Sequence, residues 1–140
     1  LPSTPPAIAN VFPAVRSGSL VGRAGQIARG RDGQFLTGKV GADVTEAQAI
    51  AAAQTCALQL LAALKAEIGD LSRVKRIVRV GGFVNCTPDY TAQSKVINGC
   101  SDLLVAVFGD RGRHARAAVG VAALPAGAPV EIELIAEVAD

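Results

Sequence analysis

The chain is poor in the residues that carry base stacking and metal binding. Its 140 residues include no tryptophan, one tyrosine and four phenylalanines, and the net charge is only +2, with lysine and arginine spread along the chain. Nucleic-acid binding needs clustered cations or aromatic platforms, so the composition argues against a nucleic-acid partner. A single histidine, His114, and three widely spaced cysteines provide no ligand set for a metal site.

Patterns typical of membrane spans, secretion signals and nucleotide binding are not found within these 140 residues. No apolar run approaches the ~20 residues of a membrane span, and the proline-rich lead-in, residues 1–9, has no basic start or apolar stretch of a secretion signal. The glycines of residues 22–25 form neither a G-x-G-x-x-G nor a P-loop pattern. We therefore expect no membrane partner, no nucleotide cofactor, and a cytoplasmic location in which Cys56 and Cys100 are buried thiols.

What the sequence does contain is a regular alternation of strand and helix patterns. Half of the residues are hydrophobic, which is enough for a single domain over residues 1–140. A T-x-x-Q capping box at Thr45 and Gln48 begins a helix that continues to Gly69. A hairpin is predicted over residues 15–26, a strand over 73–85, a second helix over 96–109, and strands over 116–123 and 130–138. The predicted order is β-β-α-β-α-β-β.

Alternation within the strands predicts which side chains face the core. In the strand over 73–85 it places Lys75, Ile77 and Arg79 on one face and Val74, Val78 and Val80 on the other. In the next strand Val119 and Val121, followed by Leu124, are expected to enter the core. The last strand separates Val130, Ile132, Leu134, Ala136 and Val138 from Glu131, Glu133, Ile135 and Glu137.

Two helices can cover only one face of this mixed sheet. The uncovered face is predicted to mix apolar with charged residues, which favours a subunit interface with cross-strand ion pairs over a bare surface. We expect a closed homo-oligomer with clefts between its subunits.

The sequence offers few candidates for chemistry. Arg116 and Glu131 lie near the starts of the last two strands. One interpretation is that each is a strand-end residue in solvent or in a salt bridge at an interface. The other is that Arg116 binds a substrate carboxylate through both of its terminal nitrogens, while Glu131 positions water or moves a proton. The spacing does not decide between these interpretations. A Ser-His-Asp triad would need His114, which lies among three arginines without an obvious orienting carboxylate.

Three stretches resemble the Rid family of reactive-intermediate deaminases, also called the YjgF family. The stretch "RAAVGVAALPAGAPVEIELIAEV", residues 116–138, is similar to the family's R-S-x-V-x-V-x-x-L-P signature followed by V-E-I-E. "AGQ" at residues 24–26 resembles its S-G-Q, and "KVINGCSDLLVAVFG" resembles its second helix. The similarity extends over about residues 8–138.

The resemblance implies a chorismate-mutase-like α/β fold that assembles as a homotrimer with sites between subunits. It also implies hydrolysis of small enamine and imine carboxylates to 2-oxo acids and ammonia, without a cofactor. By position, Arg116 matches the arginine that grips the substrate carboxylate, and Glu131 matches the glutamate that orients water. Asn98 lies near the family's asparagine.

This chain also departs from the family pattern. Ala24 replaces the serine of S-G-Q, Ala118 stands where members carry a cysteine, and Val11 occupies the position of a tyrosine. Main-chain groups at Ala118 can still hold water, and Arg23, Thr37 and Lys39 are possible replacements or solvated loop residues. The longer insertion resembles a less characterised branch. A binding protein without turnover and an endoribonuclease, an older label of the family, therefore stay as alternatives to a hydrolase.

Overall fold

The computed structural model describes residues 1–2 and 14–140. Two strands, β1 (Ala14–Ser17) and β2 (Leu20–Ile27), precede helix α1 (Glu46–Ile68) and strand β3 (Val74–Asn85). Helix α2 (Gln93–Phe108) and strands β4 (Ala115–Val121) and β5 (Val130–Val138) complete the chain. This order confirms the predicted alternation, although β4 ends two residues earlier than expected.

One mixed sheet holds all five strands. Its spatial order is β1-β2-β5-β3-β4, with β3 and β4 parallel and every other pair antiparallel. The β1–β2 hairpin turns at Gly18, whose φ of 62° is a conformation that glycine adopts without a steric penalty. The parallel pair is possible because α2 carries the chain back across the sheet between β3 and β4.

Helix α1 begins and ends where the sequence predicts. The Thr45 side chain accepts a hydrogen bond from the Gln48 backbone N–H, and the Gln48 side chain accepts one from the Thr45 N–H. At the other end Gly69, with φ of 92°, donates its N–H to the Lys65 carbonyl. These contacts satisfy backbone groups that the helix itself leaves unpaired.

Within the described residues, α1 is also long and apolar enough to cross a membrane, judged by length and composition alone. Gln48, Gln54 and Gln59 interrupt its apolar residues, so it qualifies on mean hydropathy rather than on an unbroken run. Of its most apolar window, 61% is buried in the protein. The helix packs against α2, β5 and β2, and this packing accounts for its composition.

Both helices pack on the same face of the sheet. The alternate β5 residues Val130, Ile132, Leu134, Ala136 and Val138 are buried there, as predicted. Two glycines allow the close approach: a Cβ on Gly82 of β3 would lie 2.6 Å from the Ile97 side chain, and a Cβ on Gly99 would lie 2.5 Å from the Ile50 carbonyl oxygen. The core therefore lies between the two helices and this face, which we call the helix face.

The predicted faces of β3 are wrong near its start. Ile77 is fully buried, whereas Val78 is 38% exposed. The pairing of β3 with β5 shifts register between Val74 and Arg76 and again between Ile77 and Arg79. Each irregularity inserts a residue into the alternation, so Ile77 joins Val74 and Val80 in the core.

Val119 also does not enter the core. Strand β4 is at the edge of the sheet, and Val119 pairs in register with Phe83 on the face opposite the helices. It is 44% exposed, and Val121 and Leu124 are only partly buried. The apolar pattern of β4 thus marks an exposed apolar surface rather than the core.

The face opposite the helices, which we call the open face, carries both carboxylates and apolar groups: Gly81, Phe83, Val119, Glu131, Glu133, Ile135 and Glu137. Within residues 1–2 and 14–140, salt bridges join Arg16 to Asp140, Lys95 to Glu46 and Arg113 to Asp110. None involves the open face, so the predicted ion pairs do not form within the described part of one chain.

Gly99→Ala should destabilise the fold. The added Cβ would overlap the Ile50 backbone, which cannot move without separating the helices, and this overpacking should outweigh the higher helix propensity of alanine. We expect a loss of about 1–3 kcal/mol in the free energy of unfolding, measured with denaturant. Gly22→Ala, where the nearest atom is 4.0 Å away, is the control and should change stability by less than about 1 kcal/mol. Equal effects of the two substitutions would contradict the close helix contact.

Candidate functional site

Arg116 lies near the start of the edge strand β4 and points toward helix α2. It pairs in parallel register with the buried Val80, so the two side chains share the helix face. Because β4 is an edge strand, the guanidinium lies at the margin of the core and stays partly exposed. The local fold thus places a permanent cation beside α2 without sealing it from solvent.

Three groups of α2 hold this guanidinium, and all are neutral. Nη1 donates to Asn98 Oδ1 at 2.8 Å and to Ser101 Oγ at 3.1 Å, and Nη2 donates to the Ser94 carbonyl at 3.4 Å. Residues 94, 98 and 101 share one side of the helix, because four and then three residues separate them. No salt bridge of Arg116 with a carboxylate occurs among residues 1–2 and 14–140, so its orientation is fixed while its charge is not neutralised.

Ser101 is also hydrogen-bonded to the imidazole of His114. Ser101 Oγ lies 2.9 Å from His114 Nε2, and His114 Nδ1 lies 2.6 Å from the Gly112 carbonyl oxygen. A carbonyl can only accept, so Nδ1 carries the proton and Nε2 is free to accept the hydroxyl hydrogen of Ser101. The arrangement assigns one tautomer to the neutral ring.

These groups line a small open cavity of about 220 Å³ at the β4–α2 margin. This volume is below the range of roughly 300–1,000 Å³ usual for drug-sized ligands, so it suits a small molecule. Its lining combines cationic, polar and acidic groups with one apolar residue: Ser101, Asp102, Val105, Arg113, His114 and Arg116. We call this space the Arg116 cavity.

Burial controls protonation around the cavity. It lowers the pKa of His114, and Arg116 adds to this effect, although the Gly112 hydrogen bond opposes it. The imidazole is therefore neutral at neutral pH. Burial raises the pKa of the adjacent Cys100 to about 12, so this thiol is unreactive. Cys56 and Cys86 are likewise free and buried.

Glu131 lies on the other side of the sheet. It pairs with Phe83 on the open face, whereas Arg116 pairs with Val80 on the helix face, and β3 separates the two strands. Burial raises the pKa of the half-buried Glu131 carboxyl, and the charge of Glu133 raises it further. Within one chain, Arg116 and Glu131 therefore do not face the same space.

The predicted site residues form two separate groups. Asn98 contacts Arg116 directly, and Ala118 lies two residues further along β4 on the same face. Ala24 lies at the irregular part of β2, beside Gly25, where a Cβ would overlap the Glu131 carboxylate. Val11 is outside the described residues.

Ser94 and Ser101 were not predicted as site residues, and His114 was considered only as a triad member without a carboxylate partner. The structure supplies the Gly112 carbonyl in place of that carboxylate. The signal in the sequence was the polar stripe at positions 94, 98 and 101, on one side of an amphipathic helix. It indicates a polar neighbour for that side of α2.

The three possible replacement groups lie away from the Arg116 cavity. Lys39 Nζ donates to Asn85 Oδ1 at 2.6 Å and to the Ala122 carbonyl at 2.7 Å, near the other end of β4. Arg23 is buried and its pKa is lowered by burial. Thr37 lines a different cavity, next to α1. In the described part of the chain, no group of three metal-ligating side chains occurs.

Comparisons with known proteins identify the family. A family model described as "YjgF/chorismate_mutase-like, putative endoribonuclease" matches residues 1–138. Protein TCP17 of Trypanosoma cruzi is 46% identical over 138 residues, which cover 98% of this chain and 86% of that protein. The chain therefore belongs to the YjgF/chorismate mutase-like family, and its mixed five-stranded sheet with two helices is the chorismate-mutase-like fold expected from the resemblance.

Two solved structures show the same fold. A "putative endoribonuclease" from Shewanella oneidensis has a TM-score of 0.94 and 34% identity, with 99% of this chain and 91% of that chain covered. RidA from an Antarctic Psychrobacter has a TM-score of 0.67 and 27% identity, with 97% and 94% covered. Relatives are thus named either endoribonuclease or RidA, and the resemblance associates both names with the family.

The lowered pKa of His114 predicts that this residue makes the free energy of unfolding depend on pH. An unfolded histidine titrates near about 6.5, above the folded value, so the unfolded chain binds more protons as the pH falls through this region. The free energy of unfolding should therefore decrease below about pH 6.5 in the wild type, and His114→Gln should lose this decrease. Denaturant unfolding between about pH 7 and pH 5 measures it.

His114 is the only histidine, so the difference between the two proteins isolates its contribution from that of the carboxylates. The advantage of the wild type over His114→Gln should shrink on acidification. If the free energies of unfolding of the two proteins changed in parallel with pH, His114 would have the same pKa in the folded and the unfolded chain, which contradicts the prediction.

Proposed function

We propose that the protein hydrolyses small imine and enamine carboxylates to 2-oxo acids and ammonia, without a cofactor, in clefts between the copies of a homotrimer. The observation that carries the proposal is the Arg116 guanidinium, held at the edge of a small cavity by neutral acceptors. A cation that is oriented but not neutralised is suited to an incoming anion.

The size and charge of the cavity support a small carboxylate as the ligand. A guanidinium matches a carboxylate through parallel N–H···O hydrogen bonds, each charge-assisted. Asn98 and Ser101 restrict the rotation of Arg116 before the ligand binds, so less conformational entropy is lost on binding. Held in this way, a carboxylate would keep the adjacent C=N carbon in place for attack by water.

Glu131 has a role in this proposal only through a second copy. It faces the open side of the sheet, where Phe83 and Val119 leave apolar surface that no described element of the chain covers. A second subunit packed there would bury this surface and place its own residues near Glu131. The Glu131 carboxyl group would then orient the attacking water, which is the role that the resemblance implies.

The same fold is compatible with two functions other than imine hydrolysis. Ala24 and Ala118 lack the polar side chains of the family pattern, which favours a binding protein that holds a small 2-oxo acid without turnover. The name endoribonuclease, carried by the family and by the Shewanella relative, favours RNA as a substrate. The net charge of +2 and the scarcity of aromatic residues argue against tight RNA binding.

Arg116→Ala should abolish the activity by removing the anion contact. A charge-assisted contact worth about 1.5–3 kcal/mol corresponds to a loss of about 10- to 150-fold in affinity for a small 2-oxo acid such as 2-oxobutanoate. Calorimetry measures this loss, and ammonia release from freshly generated 2-aminoacrylate measures turnover. Arg31→Ala, which removes an exposed loop arginine, is the matched control and should behave as wild type.

Wild type and Arg116→Ala also distinguish the hydrolase from the binding protein and the nuclease. Ligand binding by the wild type without ammonia release above that of buffer would favour the binding protein. Cleavage of single-stranded RNA that is lost in Arg116→Ala would favour the nuclease, whereas cleavage that persists would indicate a contaminant or another site. Equal activity of Arg116→Ala and wild type would overturn the proposal.

Mixing two inactive variants tests whether the site spans two copies. Arg116→Ala and Glu131→Gln chains are unfolded together, refolded in equal amounts and assayed for ammonia release. If Arg116 of one copy acts with Glu131 of the next in a ring, about one quarter of the sites recover both groups, so about a quarter of wild-type activity should return. Refolding each variant alone is the control. No recovery on mixing would contradict a shared site.

A further inference from the structure

A continuous hydrogen-bond chain leads from Arg116 through two other residues of the cavity lining to the Gly112 carbonyl. Arg116 Nη1 donates to Ser101 Oγ at 3.1 Å, Ser101 Oγ lies 2.9 Å from His114 Nε2, and His114 Nδ1 donates to the Gly112 carbonyl at 2.6 Å. The carbonyl at the end sets every proton position: Nδ1 is protonated, Nε2 accepts and Ser101 donates. A hydroxyl joined to an unprotonated imidazole nitrogen can pass on a proton.

We propose that Ser101 and His114 form a proton relay that activates the attacking water and later protonates the leaving nitrogen of a substrate held on Arg116. This inference rests on the proposed function and adds two groups that no family pattern in the sequence indicates. All three side chains line the Arg116 cavity, so a water beside a bound carboxylate can reach Ser101 Oγ.

The substrate chemistry argues for proton transfer rather than for a covalent intermediate on Ser101. Attack of Ser101 Oγ on the C=N carbon would give a carbinolamine ether, and its bond to Ser101 would have to break again before the 2-oxo acid could form. Attack by water supplies the carbonyl oxygen of the product directly, so Ser101 needs only to pass a proton to His114.

The relay balances over one turnover. Water oxygen bonds to the C=N carbon of the protonated imine, and the π electron pair moves to nitrogen. The water proton passes to Ser101 Oγ as the Ser101 proton passes to His114 Nε2. His114 then returns a proton through Ser101 to the amino nitrogen. The C–N bond breaks as C=O forms, and the hydroxyl proton leaves with ammonia as ammonium. Water is the only co-reactant, and His114 ends neutral.

Charges around the cavity keep the relay ready at neutral pH. They come from α2, the turn after it and strands β3 and β4: Asp102, Asp110, Arg113, Arg76 and Arg116. Asp110 is paired with Arg113, and the Arg76 guanidinium donates to the Arg113 carbonyl. The cationic groups outnumber the acidic ones, which disfavours an imidazolium and favours an anionic substrate.

The test compares steady-state kinetics of wild type, Ser101→Ala and His114→Gln with freshly generated 2-aminoacrylate between about pH 5 and pH 8. Proton transfer by a positioned side chain contributes about 10²- to 10⁴-fold, so kcat should fall at least about 100-fold in each variant. KM should change by less than about threefold, because Asn98 still holds Arg116. The wild-type rise of kcat/KM with pH through the His114 ionisation should disappear in His114→Gln.

Two controls separate proton transfer from simple support of Arg116. Ser101→Thr keeps a hydroxyl and should recover part of kcat. Thr55→Ala removes a half-buried hydroxyl of α1 that lines a different cavity, and it should behave as wild type. Variants that raise KM while leaving kcat and the pH profile unchanged would overturn the relay and assign Ser101 a positioning role. Full activity in Ser101→Ala would overturn it too. A wild type that binds but does not turn over substrate would instead remove the proposed function, and the relay with it.

Discussion

The contact between the Arg116 guanidinium and one polar side of helix α2 is the interaction on which the site depends. The chain orients a permanent charge with an amide, a hydroxyl and a carbonyl and, within its described residues, adds no carboxylate to neutralise it. Burying such a cation completely would add a large desolvation penalty. Placing Arg116 on an edge strand avoids that cost and keeps the charge available to a small anion.

Most of the fold could be predicted because its signals are local. The capping box of α1 and the alternation of β5 depend on residues that are neighbours in sequence, and both are observed. The start of β3 could not be predicted, because its irregularities arise from pairing with β5, more than fifty residues away. Val119 was assigned to the core because its apolar character was apparent, while the edge position of β4 was not.

Parts of the candidate site were predictable. The resemblance indicated Arg116 and Asn98, and the structure brings these two side chains into contact. Alternation along a strand shows which residues share a face, but it does not relate the faces of two strands that are not adjacent in the sheet. For this reason the sequence left open that Arg116 and Glu131 face opposite sides. Ser101 and His114 meet only because the turn at Gly112 folds back on α2.

The complete burial of two of the three thiols has a practical consequence for the study of assembly. Cys56 and Cys100 are fully buried, so thiol reagents should leave them unmodified in the folded state. Cys86 lines an open cavity and would be replaced by serine. One cysteine placed at Val119, on the uncovered side of the sheet, would then be the sole labelling position. A fluorophore attached there would report directly when neighbouring molecules approach that surface.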